Sequence, residues 1–205
     1  MYKLKFSFAI IVAVFLFQSF VLQSPGYRAE QPMASIRGVS PSLAVDHNNL
    51  LMAYASGDTI FFCMSSDHGK AFSAPTRVAI LTGLSVGGGR GPQVVATKDQ
   101  LVIAATDKAG NIYSFIKNKT AQRWEKTGRI NDVPDIAKEG FVSLAAGHEN
   151  EVYAVWLDLR NNKKNKVAGA RSLDGGKTWS TNKIIYTSPG GTVCECCKPS
   201  VEMKN

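Results

Sequence analysis

The sequence predicts an all-β protein built from repeated four-stranded units. The first observation is compositional: 18 Gly and 8 Pro among 205 residues separate short apolar runs, as expected of a turn-rich β protein. The second is a pattern that recurs about every 50 residues after residue 38, which indicates a repeat architecture. With 44% hydrophobic and 20% charged residues, the chain is expected to fold rather than to remain disordered.

Residues 1–26 have the pattern of a secretory signal peptide. Lys3 and Lys5 precede an apolar stretch of 17 residues at positions 6–22, and small residues follow it. A stretch of this length is also just long enough to cross a bilayer, so an uncleaved N-terminal anchor is the alternative. Either arrangement predicts a secreted or periplasmic protein that would contact a membrane only through this segment. Residues 27–38 are predicted to form a linker.

Four segments of the remaining chain begin alike, with an apolar strand that opens a new unit. They start at intervals of 51, 49 and 58 residues, at Pro41, Pro92, Phe141 and Pro199. Each complete unit contains four predicted strands, and its second strand is almost continuously apolar, which predicts burial on both faces. Four antiparallel strands at this period form one blade of a β-propeller, whereas an irregular β-sandwich would not give so regular a spacing. The predicted blades are approximately residues 39–88, 89–138 and 139–190, followed by the start of a fourth at 191–205.

A hairpin motif precedes the fourth strand of the first and third units. Both copies fit the pattern Ser-x-Asp-x-Gly-x-(Thr/Ala)-aromatic: Ser65, Asp67, Gly69 and Phe72 in the first unit, and Ser172, Asp174, Gly176 and Trp179 in the third. Asp can fold its carboxylate back onto turn amides, Gly permits a positive φ, and the aromatic residue can pack between sheets. The second unit keeps only the aromatic position, as Trp124. These residues are therefore predicted to be structural rather than catalytic.

The paired motif resembles the Asp-box, or bacterial neuraminidase repeat, of the sialidase-like six-bladed propellers. The resemblance covers Ser40 to Asn205. It implies an exo-α-sialidase-like glycoside hydrolase that removes terminal acidic sugars from glycans. A non-catalytic propeller that only binds its ligand is the alternative. Since about half of a six-bladed ring is present, the chain is expected to be the N-terminal portion of a longer protein.

Two pairs of residues follow from the resemblance as candidates for the site. Sialidases of this kind grip the substrate carboxylate with arginines and use an aspartate as acid/base. Arg90 stands two residues before the proline that opens the second unit, and Arg160 is the second candidate for substrate binding. Asp107 and Asp158, which follow second strands, are the catalytic candidates. The structural alternatives are that each Asp forms a turn and that Asp158 and Arg160 bridge a loop.

A cysteine cluster near the end of the chain has no counterpart in ordinary Asp-box proteins. It contains Cys194, Cys196 and Cys197, whereas Cys63 is remote in sequence. Four cysteines in an exported chain permit two disulfides. The alternative is a soft metal, Cu or Zn, bound by the thiolates of the cluster. The predicted hydrolysis itself requires no cofactor.

The net charge of +8 favours an anionic partner. Acidic sugars fit this charge, and a glycan is the predicted substrate. Nucleic acid is not expected, because the Lys-Lys-Asn-Lys run at 163–166 has no aromatic residues interleaved with it for stacking on bases. The sequence makes no prediction about oligomeric state.

Overall fold

A computed structural model describes residues 37–204 and confirms the all-β class. The described residues contain twelve β-strands. Within them, no helix is long and apolar enough to span a membrane. The predicted signal peptide and nearly all of the predicted linker lie outside the described residues.

The twelve strands form three four-stranded antiparallel sheets in which consecutive strands are neighbours. The first sheet contains β1 (Val39–Asp46), β2 (Asn49–Ser56), β3 (Thr59–Ser65) and β4 (Thr76–Ile80). The second contains β5 (Gln93–Ala96), β6 (Gln100–Thr106), β7 (Ile112–Asn118) and β8 (Glu125–Arg129). The third contains β9 (Val142–Ala146), β10 (Val152–Asp158), β11 (Lys166–Ser172) and β12 (Lys183–Tyr186). These meandering sheets are the predicted propeller blades, which we call blades 1, 2 and 3.

The blades pack face to face around their first two strands. All seven residues of β6 are buried, as its continuous apolarity predicts. One apolar cluster joins Leu51 and Ile60 of blade 1 to Ile103 and Phe115 of blade 2. A second cluster surrounds the fully buried Trp156 and joins blade 2 to blade 3. The apolar runs of the sequence are therefore the faces by which successive blades stack.

Both Asp-box hairpins have the hydrogen bonds that their sequence predicts. In blade 1, the Ser65 hydroxyl donates to Asp67 Oδ1 (2.7 Å) and accepts from the Gly69 amide (2.9 Å). In blade 3, the Ser172 hydroxyl makes the equivalent bonds to Asp174 Oδ1 (2.8 Å) and from the Gly176 amide (2.8 Å). The motif therefore folds the same way twice because its contacts are local.

The hairpin of blade 3 also locks onto blade 2. The Gly176 carbonyl oxygen accepts hydrogen bonds from Ser114 Oγ (3.0 Å) and Thr127 Oγ1 (2.8 Å). A Cβ on residue 176 would lie 2.9 Å from Val102 Cγ1, and its φ is +83°, so only glycine fits here. Trp179 packs against the apolar clusters between these two blades, and Trp124 packs in the same way between blades 1 and 2. The aromatic position therefore serves as an inter-blade wedge even where the rest of the motif is lost.

Residues 187–204 follow the third blade without forming a strand. The segment is held against β9, whose Ser143 hydroxyl donates to the Pro199 carbonyl oxygen (2.6 Å). Val201 lies over the outer face of blade 3, beside Tyr153, Val155 and Ile185. The sequence predicts the start of a fourth blade here, and this stays a prediction, because the segment forms no strand in the described residues.

Candidate functional site

A basic cleft lies where the first strands of blades 1 and 2 meet the C-terminal segment. Its volume is about 340 Å³. The lining residues are Ser40, Pro41, Ser42, Leu43, Gly89, Arg90, Gln93 and Lys198. This lining contains two cationic side chains and no carboxylate. We call it the axial cleft, because first strands are the innermost strands of a propeller.

One side of the Arg90 guanidinium is held by protein contacts, and the other side has no hydrogen-bond partner among residues 37–204. Its Nε donates to the Glu139 carbonyl oxygen (2.5 Å), and its guanidinium carbon lies 4.4 Å from the centroid of the Phe141 ring. The glycine run at 87–89, with φ values of +82°, +56° and +85°, makes the tight turn that brings the arginine back onto blade 2. Within residues 37–204, neither Nη nitrogen of Arg90 has a hydrogen-bond acceptor. The outer edge of the guanidinium is therefore available to a ligand.

Lys198 supplies the second cation of the axial cleft. Its Nζ donates to Gln93 Oε1 (2.6 Å), and the Gln93 amide is itself oriented by a bond from its Nε2 to the Pro92 carbonyl oxygen (3.0 Å). Burial lowers the pKa of the Lys198 amine below its ordinary value of 10.5. In the part of the chain that the structure describes, this amine has no carboxylate partner. A half-buried cation without a counter-ion is stabilised by an incoming anion.

Asp158 and Arg160 form a closed ion pair outside the axial cleft. Asp158 is fully buried, and its Oδ1 accepts from the Arg160 backbone amide (2.9 Å) and from Arg160 Nε (2.8 Å). Its Oδ2 accepts from Arg160 Nη2 (2.9 Å) and from Trp156 Nε1 (3.0 Å). A carboxylate has about four acceptor positions, so Asp158 has none left for a substrate.

Two nitrogens of the Arg160 guanidinium, Nε and Nη2, are also bonded. Its Nη2 also contacts Asp132 Oδ1 (3.1 Å) and Asn182 Oδ1 (3.2 Å), so the pair ties the end of blade 2 to blade 3. Hydrogen bonding to Asp158 raises the pKa of the Arg160 guanidinium. These contacts are those of the bridging alternative, in which Asp158 and Arg160 hold a loop; their assignment as catalytic and substrate-binding groups stays a prediction.

Asp107 closes the hairpin between β6 and β7. Its Oδ1 accepts from the Asn111 amide (2.8 Å), its own amide donates to the Asn111 carbonyl oxygen (2.9 Å), and its carbonyl oxygen accepts from the Gly110 amide (3.1 Å). It does not line the axial cleft. One carboxylate oxygen, Oδ2, keeps only a long 3.4 Å contact to the Asn111 side chain. Asp107 therefore stabilises a turn, and its Oδ2 makes no short hydrogen bond to the described residues.

Of the polar side chains that line the axial cleft, the sequence-based prediction names Arg90 and does not name Lys198 or Gln93. A signal for both exists in the repeat: Lys198 directly precedes the proline that opens the fourth unit, and Gln93 directly follows the proline that opens the second. The hydrogen bond between them joins residues that are 105 positions apart and belong to different units. Periodicity alone does not reveal such a contact.

The three cysteines near the end of the chain form an exposed cluster. Cys194 Sγ lies 2.6 Å from Cys196 Sγ, which lies 3.9 Å from Cys197 Sγ. All three sulfur atoms lie within 4.8 Å of one another, so the cluster could hold a metal ion. Cys63 is buried in β3, away from the other three cysteines, and the choice between disulfides and a metal at the cluster stays a prediction.

The cysteine cluster and Arg90 are connected through two hydrogen-bonded residues, Asn165 and Glu139. Asn165 accepts the Val193 amide with its carbonyl oxygen (2.8 Å), directly before the cluster. Its side-chain amide donates to Glu139 Oε1 (3.2 Å), and the Glu139 carbonyl oxygen holds Arg90. The cluster therefore stands at the same end of the blades as the axial cleft.

Comparison with known proteins identifies the fold. No protein-family model matches the sequence, and neither does any curated protein. Among solved structures, the chain is similar to an ulvan lyase of polysaccharide lyase family PL25 bound to -[GlcA(1-4)Rha3S]-, with a TM-score of 0.53 at 10% identity over 72% of this chain and 39% of that one. It is also similar to an α-L-arabinofuranosidase from Clostridium thermocellum, with a TM-score of 0.50 at 13% identity over 77% of this chain and 55% of that one.

A third similarity is to the NanB sialidase from Streptococcus pneumoniae. Its TM-score is 0.45 at 17% identity, over 72% of this chain and 25% of that one. The chain thus spans between a quarter and about half of these proteins. At such identities the likeness shows the propeller-blade fold and leaves function to the site.

Proposed function

We propose that this protein is an exported propeller that recognises a terminal acidic sugar, with the sugar carboxylate bound by Arg90 and Lys198 in the axial cleft. The observation that carries the proposal is the pair of cations that line one cleft without a carboxylate among its lining residues. A guanidinium edge matches a carboxylate with two parallel hydrogen bonds, and a lysine adds a point charge. The net charge of +8 adds a general attraction for anions.

Two further facts support an acidic sugar over other anions. The PL25 ulvan lyase, which has a similar fold, is bound to a ligand that contains GlcA. The cleft also presents the hydroxyls of Ser40 and Ser42, which accept backbone amides of Gly87 and Val94 and keep their own protons to donate to sugar hydroxyls. The cleft therefore offers charge for a carboxylate and hydroxyl donors for a pyranose ring.

The reaction we propose is exo-α-sialidase-like hydrolysis, with membership of the Asp-box propellers supported by the two matching hairpins. Asp107, which lies outside the lining of the axial cleft, is the acid/base candidate in this proposal, because its Oδ2 makes only one long contact. Asp107 protonates the glycosidic oxygen as its bond to the anomeric carbon breaks, and a water molecule adds to that carbon and returns its proton to Asp107. Protein groups and water supply this chemistry without a cofactor.

A non-catalytic acidic-sugar-binding propeller is the second candidate. The observation that favours it is that both predicted catalytic aspartates hold the structure together: Asp158 is saturated by Arg160 and Trp156, and Asp107 closes a hairpin. Under this alternative, the cleft binds the sugar and no bond is cleaved.

Hydrolysis of a fluorogenic α-sialoside tests the proposal, measured beside binding of the same sugar. Arg90→Gln should weaken binding at least about tenfold and lower turnover with it, and Asp107→Asn should abolish turnover while binding persists. Arg123→Gln is the matched control, because Arg123 is an exposed arginine outside the cleft. Binding without turnover in the wild-type protein would select the second candidate, and unchanged binding by Arg90→Gln would refute the site.

A further inference from the structure

We propose that Cys194, Cys196 and Cys197 bind one Cu(I) ion through their three sulfur atoms. This inference is independent of the proposed glycan chemistry, which uses no metal. The three sulfur atoms converge to within 4.8 Å of one another on a single short loop. That spacing is small enough for one ion to contact all three after minor side-chain rotation.

The loop is built to keep the sulfur atoms together. On one side the Val193 amide donates to the Asn165 carbonyl oxygen (2.8 Å), and Thr192 Oγ1 accepts the Asn165 amide (3.1 Å). Inside the loop, the Cys197 amide donates to the Cys194 carbonyl oxygen (3.3 Å) and so closes a turn. On the other side, Lys198 is fixed by its bond to Gln93. The cluster is thus anchored at both ends and exposed in the middle, where an ion can enter.

The donor set selects the metal. The cluster consists of three thiols, and in residues 37–204 no His, Asp or Glu donor joins it within the same distance. Structural Zn²⁺ sites almost always have four ligands in a tetrahedron, which this cluster does not supply. Soft thiolates without a hard ligand suit Cu(I), a soft ion that does not need a tetrahedral fourth ligand.

The three thiols must lose their protons when they bind the ion, so the affinity depends on pH. Binding replaces three S–H bonds by three S–Cu bonds and releases three protons, with no change in oxidation state. The affinity must therefore fall as the pH is lowered.

The test is a titration of the fully reduced protein with Cu(I) in competition with a Cu(I)-specific chelator such as bicinchoninate. We expect one Cu(I) per chain, with ultraviolet thiolate-to-copper charge-transfer absorption. Replacement of any one cysteine, as in Cys194→Ser, Cys196→Ser or Cys197→Ser, should weaken binding at least about tenfold. Cys63→Ala is the matched control, since Cys63 is a buried thiol outside the cluster, and it should bind as the wild-type protein does.

Three results would overturn the inference. The chelator could keep all of the Cu(I), the triple Ser variant could bind as well as the wild-type protein, or Zn²⁺ could displace Cu(I) from the cluster. Sialoside binding measured on the same triple Ser variant separates this inference from the proposed function. Loss of copper binding with unchanged sugar binding supports a copper site that is independent of the sugar site. If the wild-type protein binds no sugar, the copper titration still tests the copper site by itself.

Discussion

Arg90 and Arg160 are two partly buried arginines that differ in what surrounds them. Arg90 lies just before the first strand of blade 2, and Arg160 lies in the loop after the second strand of blade 3. Arg160 binds two carboxylates and an amide oxygen, from Asp158, Asp132 and Asn182. Arg90 has one backbone carbonyl and one aromatic ring. The first ties two blades together, and the second is the cation that we propose as the anion-binding group. The comparison teaches that the partners of an arginine, rather than its position in the repeat, are the basis on which we assign it a role.

The largest expected effect comes from breaking the closed pair. Asp158→Ala leaves the Arg160 guanidinium and the Trp156 indole N–H without their main acceptor in a buried place. Removing one partner of a buried pair typically costs about 3–5 kcal/mol. Urea denaturation should show this loss, while the protein that remains folded binds the acidic sugar normally. A stable variant that fails to bind would mean that Asp158 is a functional residue after all.

The next effect belongs to the open arginine. Arg90→Gln removes charge-assisted hydrogen bonds worth about 1.5–3 kcal/mol, so the affinity for an acidic sugar should fall at least about tenfold. Its free energy of unfolding should change by less than about 1 kcal/mol, because Arg90 has no charged partner to abandon. Calorimetric titration and urea denaturation measure the two quantities. A large loss of stability with normal affinity would place Arg90 with Arg160 as a structural residue.

Lys198 extends the comparison because, like Arg90, it has no carboxylate partner among residues 37–204. Lys198→Met should lower the affinity for the sugar about fivefold, and its stability should stay equal or rise slightly, because the half-buried amine no longer needs desolvation. In the wild-type protein, the affinity should fall by a similar factor, about fivefold, as the pH rises through the pKa of Lys198, at a lower pH than for an ordinary lysine. Affinity measured as a function of pH tests this, with Lys198→Met as the variant that should not show the transition.

The smallest expected effect is the loss of stability on replacing Asp174, a carboxylate whose hydrogen bonds come from backbone and hydroxyl groups rather than from an arginine. Burial opposes ionisation of Asp174, but bonds from Thr178 and Ser172 outweigh it and hold the pKa below the ordinary 3.8. Asp174→Asn should therefore cost about 0.5–1 kcal/mol near neutral pH. A group with a lowered folded-state pKa contributes its stability above the unfolded value and loses it as the pH falls through the lowered one. The stabilities of wild type and variant should thus converge well below pH 3.8, and a constant difference at all pH values would contradict this role.

The sequence predicts the fold well because its signals are local. Apolar runs and turn residues define each strand, and the hydrogen bonds of the Asp-box hairpin join residues only two to four positions apart. The aromatic wedge is predicted even in the second unit, where only Trp124 remains, and the structure packs it between blades 1 and 2. The blade repeat therefore follows from periodicity and turn chemistry.

The site is harder to predict because its contacts join different blades. Arg160 is occupied by Asp132, 28 residues away, and Lys198 reaches Gln93, 105 residues away. The resemblance therefore proposes both arginines, and it gives no sign that Arg160 has carboxylate partners while Arg90 has none among residues 37–204. The same lack of long-range information leaves the cysteines ambiguous between disulfides and metal, and the structure adds that three of the four sulfur atoms lie close together.

The central claim is that the axial cleft recognises the negative charge of a sugar through Arg90. The most direct measurement compares the affinities of a methyl α-sialoside and its uncharged methyl ester for the wild-type protein, Arg90→Gln and Arg123→Gln. We expect the wild-type protein and Arg123→Gln to prefer the carboxylate at least about tenfold, and Arg90→Gln to lose that preference. An equal affinity of the wild-type protein for both sugars, or an undiminished preference in Arg90→Gln, would contradict the claim.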